Sequence, residues 1–206
     1  MSNLITINDF KKCSQAKQDH FAFNISGTNG TYIEIGANRP IKGSNTYNLE
    51  VVAGWKGFSV ELMTKYQADW KNCVERKNTI YWTDAITFDY EKALKENKLP
   101  KHINYLSCDI EPPINTLNAL KRVIEQGISF DFISFEHDRY QSNEDFHTIA
   151  NDFLSGYGYK IAVHDVYFKN NPANVFETWF VKDTIDFNTT SYANWLTPTI
   201  ASQEKQ

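Results

Sequence analysis

The sequence predicts an α/β fold: one domain on a mainly parallel, seven-stranded sheet, with helices on both faces and an antiparallel hairpin at the C-terminal end. Three observations lead there. Residues 31–61 read as a strand, a tight turn, a short helix and a second strand, which is a βαβ unit. Apolar runs of strand length then alternate with helix-spaced segments as far as Gly156. Last, Tyr159 to Val163 and Val175 to Val181 are both strand-like, and the polar loop between them, with Pro172, has no helical pattern. Two such strands pair antiparallel at one end of the sheet.

Each element has a local cause. In the βαβ unit, TYIEIGAN is a buried strand entering a turn, SNTYNLEVVAG a short helix capped by Ser44 or Asn45 and stopped by Gly54, and WKGFSVE a strand ending on Glu61. Leu62, Tyr66, Trp70, Cys73 and Val74 then recur at helical spacing, and a short strand follows at Thr79 to Trp82. Phe88 to Lys98 reads as a helix and Ile103 to Asp109 as a strand. Pro113 opens the next helix, whose apolar stripe is Leu117, Leu120 and Ile124, and Gly127 closes it. Phe130 to Glu136 is an apolar strand. Asn143 is placed to cap a helix that turns Phe146, Ile149, Ala150 and Phe153 inward, and Gly156 and Gly158 break it.

The 206 residues suit a single domain with a sizeable core. We expect an N-terminal extension at 1–13, the folded domain at 14–183 and a polar tail at 184–206, where periodicity is lost. No apolar run approaches the roughly 20 residues of a membrane helix, and the N-terminus does not resemble a secretory signal. A cytoplasmic protein without membrane partners is expected. Cys13, Cys73 and Cys108 are too scattered for a disulfide framework or a zinc knuckle. The net charge of -4 argues against a nucleic-acid partner. Lys92, Lys95, Lys98 and Lys101 fit a solvated helix face better than a phosphate track.

The βαβ turn carries the chemistry. In such units a ligand binds outside the carboxyl ends of the strands, and an acid ending the second strand, here Glu61, can bond a ribose. A dinucleotide pyrophosphate needs several glycines in the turn, whereas EIGAN has only Gly36. Glu34 would also repel a pyrophosphate and attract a cation. S-adenosylmethionine fits these constraints, having a sulfonium, an ammonium group, a ribose and no phosphate. Its carboxylate suits the N-terminus of the short helix.

Seven segments in order resemble the FkbM-type methyltransferase family across residues 14–183: SQAKQD at 14–19, YIEIGAN at 32–38, SNTYNLE at 44–50, GWKGFSVE at 54–61, LSCDIE at 106–111, ISFEH at 133–137 and FETWFV at 176–181. The resemblance implies a single-domain, Rossmann-like methyltransferase fold of class I, S-adenosylmethionine as cofactor, and O-methylation of a sugar or small-molecule hydroxyl. It implies that Glu34, Gly36 and Asn38 line the methionine end, that Asn45 and Thr46 support the helix start, and that Glu61 holds the ribose. By the same likeness Asp84, with Ala85 beside it, lies near the adenine amino group, Asp109 faces the methyl-transfer centre, and Gln18 closes over the cofactor. One position departs: where the family has Gly after the acid-x-Glu motif, this chain has Pro112, which fixes φ and removes an N–H.

If the sheet is wound as expected, Asp109, Glu111, Glu136, His137, His164 and Asp165 share the cofactor edge. Transfer to a hydroxyl needs alignment and a base. His137 or His164 has a suitable ordinary pKa, with Asp109 and Glu136 to orient it. A divalent metal at these acids is a second option that lacks a sharp motif and is not favoured. The expected partner is a small-molecule or glycan acceptor. Two other functions remain open: a non-catalytic S-adenosylmethionine-binding or nucleotide-binding protein of the same fold, and an NAD-type oxidoreductase, against which the missing glycines count.

Overall fold

The computed structural model describes residues 4–167 and 173–186. In chain order the elements are α1 (Gln18–Ser26), β1 (Thr31–Ile35), α2 (Tyr47–Val51), β2 (Lys56–Glu61), α3 (Gln67–Asn72), β3 (Thr79–Trp82), α4 (Tyr90–Glu96), β4 (His102–Cys108), α5 (Pro113–Glu125), β5 (Ser129–Glu136), α6 (Phe146–Ser155), β6 (Tyr159–Tyr167) and β7 (Val175–Lys182). The strands form one sheet in the order β3-β2-β1-β4-β5-β7-β6. Strands β1 to β5 pair in parallel, and β7 enters antiparallel between β5 and β6. Most of the expected tail, residues 187–206, and the loop position Pro172 lie outside the described residues.

Two apolar layers sandwich the sheet. On one face Ile33, Ile35, Phe58 and Val60 pack with Leu94 of α4, Leu117 and Leu120 of α5 and Ala150 and Leu154 of α6. On the other, Tyr32, Tyr105, Phe132 and Trp179 pack with Phe21 and Ala22 of α1 and Leu49 of α2. Burial of both sheet faces explains why the central strands read as nearly continuous apolar runs. Phe132 stacks on Tyr105 with ring centroids 4.8 Å apart. Within the second layer, period-two alternation continues Tyr32, Tyr105 and Trp179 into polar positions: Glu34, Ser107 and Asp109, and Glu177.

Three local expectations need correction. The long helix expected after Glu61 is a 3₁₀ turn at Thr64–Tyr66 followed by the short α3, and Leu62 and Val74 are 64% and 70% exposed. The helical spacing there runs across a 3₁₀ turn with Tyr66, a short helix with Trp70, and exposed residues at both ends. The last helix is capped by Asp145, whose side chain accepts from Thr148 N–H, rather than by Asn143. Ile149 points outward, because the helix starts later and its buried stripe is Phe146, His147, Ala150 and Leu154.

Candidate cofactor and transfer site

A cavity of about 230 Å³ opens where β1, β2, β3 and β4 end. Gly36 and Asn38 line it after β1, Glu61, Leu62 and Met63 at the end of β2, Thr83 to Ile86 after β3, and Asp109 to Glu111 after β4, with Asn115 of α5. The local sequence explains the opening. Gly36 has φ +83°, and a Cβ there would sit 1.6 Å from the Asp109 carbonyl oxygen, so only glycine lets β1 and β4 end side by side. Asn38 takes the left-handed conformation and its N–H donates to Glu61 Oε2 at 2.7 Å. Glu61 Oε1 accepts from Met63 N–H at 2.6 Å. Glu61 thus joins two loops while lining the cavity. Asp84 Oδ1 accepts from Ile86 N–H, closing the turn after β3, and Ala85 is buried under it with its carbonyl accepting from Tyr90 Oη.

The donor set suits an adenosyl ligand without phosphate. Among the described residues none of those lining the cavity is Lys or Arg, and four, Glu61, Asp84, Asp109 and Glu111, are acids whose carboxylates can accept hydrogen bonds from ribose hydroxyls or an amino group.

Six expected cofactor residues line the cavity: Gly36, Asn38, Glu61, Asp84, Ala85 and Asp109. The other four do not. Glu34 lies behind it, accepting from Ser59 Oγ at 2.7 Å, Ser44 Oγ at 3.2 Å and Arg76 Nη2 at 3.4 Å. Thr46 is buried, with Oγ1 accepting from Arg76 Nη2, and Ser44 rather than Thr46 caps the short helix through the N–H groups of Thr46 and Tyr47. Asn45 donates to Ser107 Oγ at 3.1 Å. Gln18 is fully buried and donates to Glu177 Oε1 at 3.0 Å, while its own carbonyl accepts from Ala16 N–H.

The histidines differ most from expectation. His137 is buried and outside the cavity lining: Nε2 bonds Thr178 Oγ1 at 3.0 Å and Nδ1 accepts from Arg139 N–H at 3.2 Å. Thr178 donates in turn to the His164 carbonyl and also meets His147 Nδ1 at 2.8 Å. Burial, with His147 and Arg139 nearby, lowers the His137 pKa to about 3. An imidazole with both nitrogens engaged and so low a pKa is a poor base at neutral pH. His164 is on β6, 65% exposed at its side chain beside Asp165, and does not line the cavity either. Of the acids, Asp109 lines the cavity, Glu136 stands next to it on β5, and Asp165 pairs with Arg139 on the surface.

Carboxyls remain as the titratable groups near the β4 end. Asp109 is raised to about 6, first by burial and further by neighbouring acids, although a hydrogen bond from Glu136 opposes the rise. Glu111 is raised to about 7 by desolvation and by its hydrogen bond to Asp138. Glu136 is raised well above the usual range by burial and by Asp109. Glu177 reaches about 8, again mainly through burial. Among the described residues no group of three or more His, Cys, Asp or Glu is arranged to hold a metal ion.

Sequence reading does not single out Arg76 or Glu177. Arg76 gave no sequence signal, sitting in the loop CVERKNT. Glu177 had one: it is the single charge inside the apolar run VFETWFV.

No protein-family model matches the sequence, and no curated protein matches it. Solved structures share its fold. A protein assigned as an rRNA methylase from Clostridium thermocellum aligns with a TM-score of 0.56 at 14% identity, covering 86% of this chain and 99% of that one. A protein assigned as a tRNA methyltransferase from Streptococcus pneumoniae, solved with S-adenosyl-L-methionine, aligns at 0.54 and 10% identity over 90% and 84% of the two chains. Aeropyrum pernix fibrillarin, with natively bound S-adenosyl-L-methionine, aligns at 0.52 and 14% identity over 75% and 67%. These structures correct the expectation against nucleic acid: proteins of this fold are assigned to rRNA and tRNA, so a net charge of -4 is no ground for excluding an RNA partner. Among the described residues no helix is long and apolar enough to cross a membrane. The chain has the Rossmann-like fold of class I S-adenosylmethionine-dependent methyltransferases.

Proposed function

We propose that the protein is an S-adenosylmethionine-dependent methyltransferase that methylates a sugar or small-molecule hydroxyl, with the ribose of RNA among the candidate sugars. One observation carries the reading: the cavity at the β1, β2, β3 and β4 ends is lined by Gly36, Glu61, Asp84 and Asp109 and has no basic lining residue among those described. The ordered likeness to FkbM-type methyltransferases supports it further. When bound, S-adenosylmethionine supplies a methyl group activated by the adjacent sulfonium.

The chain's own residues bind, orient and take up the proton. Glu61 accepts from the ribose hydroxyls with the lone pairs left after its bonds to Asn38 and Met63. Asp84 accepts from the adenine amino group, and Leu62 and Met63 cover the ring's apolar surface. The hydroxyl proton of the acceptor passes to Glu111, whose pKa of about 7 suits a base at neutral pH. Asp109 holds the acceptor by hydrogen bonding at the same edge.

Calorimetric titration tests the cofactor. S-adenosylhomocysteine should bind, Glu61→Gln should weaken it about tenfold, as expected for a charge-assisted hydrogen bond of about 1.5 kcal/mol, and NAD should give no heat. NAD binding without a response to either adenosyl compound would sink the reading. For the acceptor, radiolabelled methyl transfer to RNA and to a glycan panel should give an alkali-stable ether; label on carbon or nitrogen would reject hydroxyl transfer.

A further inference from the structure

Among the described residues two aromatic rings are exposed, Tyr140 at 39% and Tyr157 at 43%. Tyr157 leans on Phe153 with ring centroids 4.9 Å apart, just before β6 begins, at the end of the sheet opposite the cavity. Tyr140 stands at the cavity's own edge, in the loop that leaves the end of β5. It is not part of the cavity lining, so the adenosyl ligand leaves it unused.

Hydrogen bonds hold that loop in place. His137 N–H and Asp138 N–H both donate to the Phe176 carbonyl, at 2.7 and 2.9 Å, and Tyr140 N–H donates to the Val175 carbonyl at 3.2 Å, so the start of β7 fixes the chain from one side. Gln141 and Ser142 N–H close the turn on the Asp138 carbonyl at 2.9 and 3.0 Å, and Gln141 Nε2 donates to Asp138 Oδ2 at 2.9 Å. Asp138 takes the left-handed conformation within this turn. The ring of Tyr140 is thus presented from a fixed backbone, as a binding surface requires.

A single exposed ring needs no explanation in itself, but this one has neighbours with chemistry. Burial, then Asp138, Glu136 and Glu111, raise the pKa of its hydroxyl, which sets the phenol among the carboxyls that follow β4 and β5. Glu111 lines the cavity, and Ile114, in the first turn of α5 beside the lining residue Asn115, is a second exposed apolar side chain there at 40%. An aromatic face carries negative charge density that attracts polarised C–H groups, and carboxylates accept from hydroxyls. A sugar ring offers both, a face of C–H groups and a rim of O–H groups.

We propose that Tyr140 is the acceptor platform of the protein: the sugar ring that carries the reactive hydroxyl stacks on it by a C–H face, with Glu111 at the hydroxyl rim. The assignment rests on reading the cavity as the adenosyl site. It puts the acceptor on the β5 side, away from the β2 and β3 ends that take ribose and adenine. The C–H face is common to the sugar of a glycan and that of a nucleoside.

The test uses the full chain saturated with S-adenosylhomocysteine and titrated calorimetrically. Methyl glucoside and methyl galactoside are compared with glucitol and galactitol, and methyl riboside and uridine with ribitol, open chains that lack a ring face. At least one ring should bind about tenfold more tightly than its open chain, the size of one aromatic contact. A preference among the hexosides marks a glycan source and one among the ribosides a nucleoside source. Tyr140→Ala should cut the preference below threefold, Tyr140→Phe should keep it within twofold of wild type, and both should bind S-adenosylhomocysteine within twofold of wild type, which also shows that they are folded. No ring preference in any pair overturns the proposal, as does a preference that survives Tyr140→Ala. Equal losses in Tyr140→Phe and Tyr140→Ala would assign the hydroxyl rather than the ring face and overturn the stacking. A parallel loss of S-adenosylhomocysteine affinity would assign Tyr140 to the cofactor and overturn the platform. Failure of the wild type to bind S-adenosylhomocysteine, seen before any sugar is added, would instead remove the cofactor reading beneath it.

Discussion

Two groups of buried carboxyls lie on one face of the sheet, about a single guanidinium on one side of β1 and, among the described residues, about no cation on the other. In the first, Arg76 is sandwiched with its guanidinium 4.5 Å from the Trp70 ring centre and donates to Glu50 at 2.8 Å, Glu34 at 3.4 Å, Tyr32 Oη, Ser44 Oγ, Thr46 Oγ1 and the Pro40 carbonyl. Burial works against the charge, yet Tyr32, Glu34 and Glu50 outweigh it and hold the Arg76 pKa above its ordinary value. Glu50 is correspondingly lowered: burial would raise it, and Arg76 with the Asn78 N–H prevails. In the second group, Asp109, Glu136 and Glu177 are all raised. The difference separates scaffold from site. Compensated charge fixes the loops that carry Ser44 and Thr46, while Glu136 and Glu177, with no cation beside them among the described residues, hold their protons to higher pH.

The largest expected effect breaks the first group. Arg76→Met leaves Glu34 and Glu50 buried without a counter-charge, and urea denaturation should show a loss of about 3–5 kcal/mol. A loss below about 1 kcal/mol would mean that the network is not the scaffold of the β1 side.

The second group should behave in the opposite sense. Glu177 has a folded pKa of about 8 against an ordinary 4.5, so its contribution is fully present below 4.5 and is lost as pH rises through 8. Stability in urea should therefore fall between those limits. Glu177→Gln should flatten that fall and be about 2 kcal/mol more stable than wild type at pH 8, with little difference at pH 5. Equal slopes would show that Glu177 is compensated after all.

Gly36→Ala sharpens the boundary between the groups, because the new methyl meets the Asp109 carbonyl and the backbone is left-handed. A destabilisation of about 2 kcal/mol and loss of S-adenosylhomocysteine binding are expected by thermal shift and calorimetry. His137 supplies the smallest effect and a control outside both groups. Its folded pKa of about 3 lies below the ordinary 6.5, so stability is lost as pH falls from 6.5 toward 3. His137→Gln should reduce that loss by about 1 kcal/mol at pH 5 and leave methyl transfer at neutral pH nearly unchanged. Abolished transfer in a folded variant would return His137 to catalysis.

The comparison also explains what could be read from the chain alone. Periodicity located the strands and most helices because alternating burial constrains residue type at every second or third position. Gly36 and Glu61 can be placed at the cavity from sequence for a related reason: each ends a strand, and strand ends gather at one edge of a parallel sheet, whereas Asp84 is placed there only by the family resemblance. The resemblance puts Glu34 and Thr46 at the cofactor, and the chain alone does not disclose that both bond Arg76. Arg76 comes from a loop 42 positions after Glu34, and nothing local to either residue announces the pairing. His137 shows the same limit in another form. Residue order put it at the right edge of the sheet, but side-chain direction and Thr178, 41 positions away, decide what its nitrogens do.

The account stands most directly on where an adenosyl ligand sits. A crystal structure of the chain with S-adenosylhomocysteine should place the adenine against Asp84 and Ala85 and the ribose hydroxyls on Glu61, with Glu34 still held by Arg76. A ligand bound elsewhere, or a ribose that leaves Glu61 untouched, would contradict it.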